Sequence, residues 1–175
     1  MTKEQLGKKI FEVSHLTGEF LLRSGQISNE YFDKYRFESI PEILDEITNQ
    51  MKELIPANTE ILAGLEMGGI PIATMLSQKT GIPAIFVRKK AKEYGTRKLA
   101  EGTEFTGKKV TIIEDVVTTG GQIITSANKL RALGASVELV MGVIVRDPKA
   151  YDNLKNAGLD LIPLLTMEEI KSYVQ

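Results

Sequence analysis

The amino-acid sequence predicts an α/β fold in which an open, mostly parallel sheet is flanked by helices. From residue 60 onward, short apolar runs alternate with segments of helical periodicity. Runs without polar alternation suit strands buried on both faces, as in a sheet covered by helices. Cap and turn residues also fall where helices of such an arrangement start and stop.

Each element has its own justification. Residues 2–16 read as a helix, because Thr2 and Gln5 make a capping box and Leu6, Ile10 and Val13 form an apolar stripe. A second helix is expected from Ser39, with Pro41 in its first turn and Glu42 closing another box. Leu44, Ile47, Met51 and Leu54 would be its buried side. The apolar runs 60–65, 84–87, 110–113 and 137–145 read as strands, with helices near 70–80 and 122–133. Gly134 stands where the latter needs a C-terminal cap. A last strand at 161–165 leads into a helix capped by Thr166 and Glu169. No repeat, low-complexity tract or linker divides the 175 residues, so one domain spanning 1–175 is expected.

Composition narrows the function classes. Net charge is −1, so no global field draws the chain to nucleic acid or to an anionic membrane, and any positive charge that matters is local. The absence of cysteine excludes a thiolate nucleophile, a disulfide framework and a Cys-type zinc site. The single histidine, His15, reads as a structural residue near a helix end. The charged N-terminus lacks a signal-peptide core, and no apolar stretch approaches the roughly 18 residues of a membrane span. A soluble, cytoplasmic domain with no nucleic-acid or membrane partner is expected.

In open α/β sheets the ligand site lies beyond the carboxyl ends of the strands, which directs attention to the loops after residues 65, 87, 113 and 145. The segment 110–122 is the most informative. An apolar strand ends in two carboxylates, Glu114 and Asp115, and the loop Thr118, Thr119, Gly120, Gly121 opens a helix near Gln122. Hydroxyls and approachable backbone N–H groups at a helix N-terminus make an anion site. The helix end alone supplies only about 0.3–1 kcal/mol per exposed anionic charge, so hydrogen bonds must provide most of the grip. Two adjacent anions repel, and sugar hydroxyls or a divalent cation would compensate them. Together these features describe a ribose 5-phosphate site. The segment is neither a Walker A loop nor a dinucleotide fingerprint.

This segment resembles the signature of the type I phosphoribosyltransferases. The resemblance implies that Glu114 and Asp115 contact the ribose hydroxyls and that Thr118, Thr119, Gly120, Gly121 and Gln122 hold the 5-phosphate. The loop Glu66, Met67, Gly68, Gly69, which could otherwise be a simple tight turn, is by resemblance the pyrophosphate loop. Many relatives carry a lysine there, whereas this chain has Gly68. Residues 86–98 hold six basic side chains and, if not merely a solvated surface, suit a flap over a leaving pyrophosphate. They are similar to the catalytic loop of the orotate phosphoribosyltransferases, which assigns Arg88, Lys89 and Lys92 to the diphosphate and Arg88, Lys92 and Asp115 to catalysis. The same resemblance assigns Tyr94, which stands where many bacterial members have histidine, to the diphosphate as well.

Two further segments resemble the orotate site of that family. Arg23 lies in an N-terminal pattern with Ser24 and Gly25, followed by Tyr31 and Phe32, and Arg146 follows the strand 137–145. A guanidinium matches a carboxylate by bidentate hydrogen bonding, although Arg146 could instead pair with Asp147. Thr118 is also expected at the base. The family implies an N-terminal hood at about residues 1–38 over a core at about 39–175, and substrates orotate and 5-phosphoribosyl 1-diphosphate. It further implies Mg²⁺ held mainly through substrate oxygens rather than by protein ligands, and a homodimer with shared active sites. A purine-specific enzyme and a sugar-diphosphate-sensing regulator are the rival expectations.

Overall fold

The computed structural model of the chain describes residues 1–22, 24–90 and 99–175. The N-terminal part consists of α1 (Lys3–Ser14), the strands β1 (His15–Leu21) and β2 (Ile27–Phe32), and the short helix α2 (Lys34–Glu38). The core follows as α3 (Pro41–Lys52), β3 (Ile61–Leu65), α4 (Gly69–Thr80), β4 (Ala84–Val87) and β5 (Ala100–Gly102). It continues with β6 (Lys109–Val117), α5 (Gly121–Ala132), β7 (Ser136–Val145), α6 (Lys149–Asn156), β8 (Asp160–Thr166) and α7 (Met167–Val174).

Among the described residues two sheets form. β1 and β2 pair as an antiparallel hairpin. The main sheet has the order β5-β4-β3-β6-β7-β8, parallel throughout except for the antiparallel edge pair β4–β5. The strand runs are continuously apolar because both faces are covered. Along β6, Ile112 packs with Ile123, Ala127 and Leu130 of α5 and with Leu154 of α6. Its neighbour Ile113 faces the other way, into a second core with Leu6 of α1, Ile47 of α3, Ile72 of α4 and Ile170 of α7. Alternation of side chains along a strand thus produces two cores from one run. With β3 and β6 central, the loops after both strands meet at one end of the sheet.

The expected elements are present, with instructive differences. Both ends of the Thr2–Gln5 box hold, but α1 stops at Ser14, and His15 and Leu16 already belong to β1. Thr166 and Glu169 form the expected box at α7, and Gly134, at φ +93°, follows α5 as its cap. The box expected at Ser39 does not form: α3 is entered from Ile40 with no side-chain cap. Ser39 instead ends α2 and spends its hydroxyl on the Arg36 carbonyl, 2.9 Å away. The later start also changes the buried face of α3 to Ile43, Ile47, Thr48 and Met51, and leaves Leu54 exposed beyond the helix end.

The contrast between the real and the expected cap is measurable. Removing an N-cap hydroxyl costs about 1 kcal/mol, which is about 2–4 °C in Tm for a domain of this size. Thr166→Ala should show that loss in a thermal melt, while Ser39→Ala, at an exposed site outside the cap, should stay within about 0.5 kcal/mol of the parent.

Candidate active site

The acid pair does not lie beyond the end of its strand. β6 runs on through Glu114 and Asp115 to Val117, with Glu114 opposite Gly142 and Val116 opposite Ile144 of β7. Backbone pairing with β7 carries the strand past the apolar run, so the two carboxylates are held on a rigid element rather than on a loop. Asp115 is completely buried. It accepts from the Lys34 ammonium of α2, whose Nζ stands 3.0 Å from Oδ1 and 2.7 Å from Oδ2. The Asp115 N–H in turn donates to Glu114 Oε1 at 3.1 Å.

A third carboxyl joins them from α2. Glu38 is buried one turn after Lys34 on α2, and its Oε1 has no N–H or hydroxyl donor beside it. Burial opposes ionisation of Asp115, but hydrogen bonds from Glu114, Glu38 and Lys34 outweigh it and hold Asp115 below the ordinary carboxylate range. Its neighbours shift the other way. Burial, then the hydrogen bond and charge of Asp115, push Glu38 up to about 9 and Glu114 well above its usual value. Lys34 is pulled down by burial but raised more by Asp115, so it stays charged. The cluster therefore favours one carboxylate anion, Asp115, paired with the Lys34 ammonium, and keeps Glu38 protonated at neutral pH.

The loop Glu66, Met67, Gly68, Gly69 joins β3 to α4 and packs its backbone against this cluster. A Cβ on Gly68 would lie 1.7 Å from Asp115 Oδ2, and one on Gly69 would lie 2.2 Å from the Ile113 carbonyl oxygen. A side chain at Gly68 would have to displace the Asp115 carboxylate, and one at Gly69 would run into strand backbone, so this loop offers backbone to the site. Met67 projects outward, 59% exposed. Glu66 accepts from the Lys89 N–H at 2.6 Å and so fastens this loop to the one after β4.

After Val117 the loop of Thr118, Thr119 and Gly120 enters α5. Gly120 caps the helix at φ +84°, a left-handed conformation that suits glycine, and packs against Leu154. Asn153 of α6 donates to the Thr119 carbonyl at 2.9 Å and anchors the loop from behind. Thr118, Thr119, Gly121 and Gln122 are exposed, and a Cβ on Gly121 would meet open space. The first-turn N–H groups of α5 thus open toward a ligand space beside the acid pair.

Arg88 and Lys89 follow β4, with Arg88 Nε 3.7 Å from Glu101 Oε1 on β5. Lys92 and Tyr94, expected in the basic loop, and Arg23, expected at the base, lie outside the described residues. Tyr31, Phe32 and Arg146 do come together, around a cavity of about 350 Å³ that also touches His15, Glu30 and Lys171. Thr118 does not line it, but it directly follows Val117, whose carbonyl accepts the Arg146 N–H at 2.8 Å. The Asp147 carboxylate accepts from the Lys149 N–H at 2.9 Å, in the first turn of α6. His15 stacks on Phe11 and pairs with Glu30 at 2.9 Å, in keeping with a structural role. A larger cavity of about 570 Å³, bounded by Ala100, Phe105, Lys129 and Leu133, touches none of the expected site residues.

Lys34 and Glu38 escape a reading of motifs alone. The available signal is their i, i+4 spacing after the capping residue Asp33, which puts a cation and an acid on one face of a short helix. Lys171 gives no local signal, because only the fold brings α7 beside Arg146.

Comparison with known proteins agrees with this geometry. The model of the phosphoribosyl transferase domain matches residues 35–161. An orotate phosphoribosyltransferase from a Nocardioides species is 52% identical over 94% of this chain and 92% of its own length. One from Methanocaldococcus jannaschii is 41% identical, covering 89% of this chain and 88% of its own. Among solved structures, the Mycobacterium tuberculosis orotate phosphoribosyltransferase superposes with a TM-score of 0.86 at 29% identity, over 96% of this chain and 98% of that one. The same enzyme in complex with 5-phospho-α-D-ribosyl 1-diphosphate gives 0.82 at 27% identity, over 97% and 98%. The chain belongs to the phosphoribosyltransferases with this domain and, within them, to the orotate phosphoribosyltransferase family.

Two outcomes follow from the cluster. Gly68→Ala should destabilise the chain by about 1–3 kcal/mol through forced displacement of Asp115, seen as a lower Tm. Glu38 binds its proton more tightly when folded than when unfolded, so its contribution is fully present below 4.5 and is lost as pH rises toward about 9. Glu38→Gln keeps the neutral form at every pH. Its Tm should therefore gain on the parent progressively across that window, in melts recorded at a series of pH values.

Proposed function

We propose that the chain transfers the 5-phosphoribosyl group of 5-phosphoribosyl 1-diphosphate to orotate, giving orotidine 5-monophosphate and pyrophosphate, a step of pyrimidine nucleotide synthesis. The observation that carries this reading is the buried Asp115 with Glu114 inside β6, followed directly by the Thr/Gly entry to α5. A rigid acid pair beside an anion-binding helix start suits a ribose diol and its 5-phosphate in one pose.

In this reading a ring nitrogen of orotate attacks the anomeric carbon as the bond to the diphosphate oxygen breaks; the bonding electrons leave with pyrophosphate, which also takes up the proton that the ring nitrogen loses. No protein nucleophile is needed. The ribose hydroxyls donate to Asp115 and Glu114, Thr118 to Gln122 hold the 5-phosphate, and the backbone of Glu66 to Gly69 faces the diphosphate. The negative charge of Asp115 lies beside a sugar that becomes positive as the bond loosens, and Arg88, Lys89 and Lys92 take the charge growing on the leaving group. Phe32, Tyr31 and Arg146 line the cavity assigned to the base, Arg23 and Thr118 are assigned to the base as well, and the Arg146 guanidinium matches the orotate carboxylate.

A magnesium ion is part of the proposal. Among the described residues no group of three or more candidate ligands gathers for a metal; the ion would be carried mainly by substrate oxygens. When bound, it would neutralise charge on the diphosphate and ribose oxygens. We also assign the chain to the cytoplasm, as a homodimer in which the basic loop, Tyr94 included, completes the neighbouring subunit's site. The N-terminal part to about residue 38 serves as a hood over the core. Among the described residues no helix is long and apolar enough to cross a membrane.

The test is an assay with magnesium, 5-phosphoribosyl 1-diphosphate and orotate, with uracil, adenine and hypoxanthine alongside. Turnover confined to orotate is expected, and turnover confined to another base would refute the base assignment. Arg146→Ala should raise KM for orotate about 10–100-fold with little change for the sugar diphosphate, the loss of a charge-assisted hydrogen bond. Lys92→Ala should lower kcat by about 100-fold or more.

A further inference from the structure

The pyrophosphate loop brings no cation to the reacting end of the site, yet the structure places one there from a different element. Lys34, the first residue of α2, holds both oxygens of Asp115 at 2.7 and 3.0 Å. Its side chain is 34% exposed, whereas Asp115 is wholly buried, so the ammonium joins the buried acid to solvent. On another side Gly68 closes against the same Asp115 Oδ2, where a Cβ would come within 1.7 Å. A side chain at Gly68 would displace Asp115, so this loop position brings no cation. The ammonium that meets Asp115 Oδ2 instead comes from the hood.

We propose that Lys34 is a substrate-binding residue of the diphosphate subsite, supplying from α2 the positive charge that Gly68 cannot. This rests on the phosphoribosyl-transfer reading above. Without substrate the ammonium neutralises the buried Asp115. When the ribose hydroxyls donate to the acid pair, Asp115 gains new donors, and the ammonium turns on its flexible four-carbon stem to the diphosphate oxygens. The exchange keeps every charge paired: Asp115 passes from an ammonium to hydroxyl donors while Lys34 passes from a carboxylate to a phosphate. Glu38, protonated beside them, keeps the second carboxyl of α2 from competing for the cation.

A merely structural Lys34 would affect all ligands through Asp115, whereas a diphosphate-binding Lys34 affects only ligands that carry the diphosphate. Calorimetry with inorganic pyrophosphate and with ribose 5-phosphate, each with magnesium, separates the two. Lys34→Met should weaken pyrophosphate about tenfold or more and leave ribose 5-phosphate within about twofold, with Lys34→Arg restoring most of the loss. Steady-state KM for the sugar diphosphate should rise in parallel while KM for orotate stays put.

Lys34→Met leaves Asp115 buried without its partner and could fail to fold. The same comparison is therefore made in an Asp115→Asn background, where adding Lys34→Met should still cost about tenfold in pyrophosphate affinity. Equal weakening of both ligands, or no weakening of pyrophosphate, overturns the proposal. A parent protein that binds pyrophosphate through Lys34 but turns over no orotate would overturn the reaction assigned above and leave this subsite standing.

Discussion

The site depends on one close approach, the backbone of Gly68 against the buried carboxylate of Asp115. An anion without exposure is costly unless it is paired and hydrogen-bonded. Here the compensation comes from three directions: Lys34 from the hood helix, Glu114 from the same strand and Glu38 from one turn along α2. Burial of Asp115 thus couples the N-terminal segment to the centre of the sheet, because the cation that permits it belongs to the hood. The same contact decides the character of the neighbouring loop, which must present backbone because a Cβ has nowhere to go.

Division of labour in the fold follows from the sheet order. Placing β3 and β6 side by side brings the backbone loop and the acid pair together, while α5 starts its first turn directly after β6. The first-turn N–H groups of α5 and the acid pair are thus both held on regular elements. The cavity around Arg146 is built differently. It is lined by the hairpin β1–β2 and the C-terminal helix α7, elements far apart in sequence.

Much of this was legible before any coordinates. The two-faced core made β3, β6 and β7 read as continuous apolar runs, Thr2 and Thr166 marked helix starts by their hydrogen-bonding chemistry, and Gly134 marked a helix end by its left-handed backbone. The acid pair and the Thr/Gly loop were visible for the same reason: they are contiguous. What escaped was set by tertiary contact. Strand β6 outlasts its apolar run because β7 continues to pair with it, so the acids lie within the strand. Ser39 carries a capping pattern but was taken by α2, a helix too short to leave a periodic signal. The weakly patterned hairpin β1–β2 and the edge strand β5 were not foreseen either, and the burial pattern of β1 and β2 shows why: few of their side chains are shielded. Lys34 and Glu38 become functional candidates only once α2 is seen to rest on Asp115.

The most direct test of the central claim, that the acid pair in β6 is the ribose subsite, is a crystal structure of the chain with 5-phosphoribosyl 1-diphosphate and magnesium. The account predicts the ribose hydroxyls within hydrogen-bond distance of the Asp115 and Glu114 carboxylates, with the 5-phosphate at the first turn of α5. A sugar bound away from β6, with Asp115 still sealed behind Gly68 and Lys34, would contradict it.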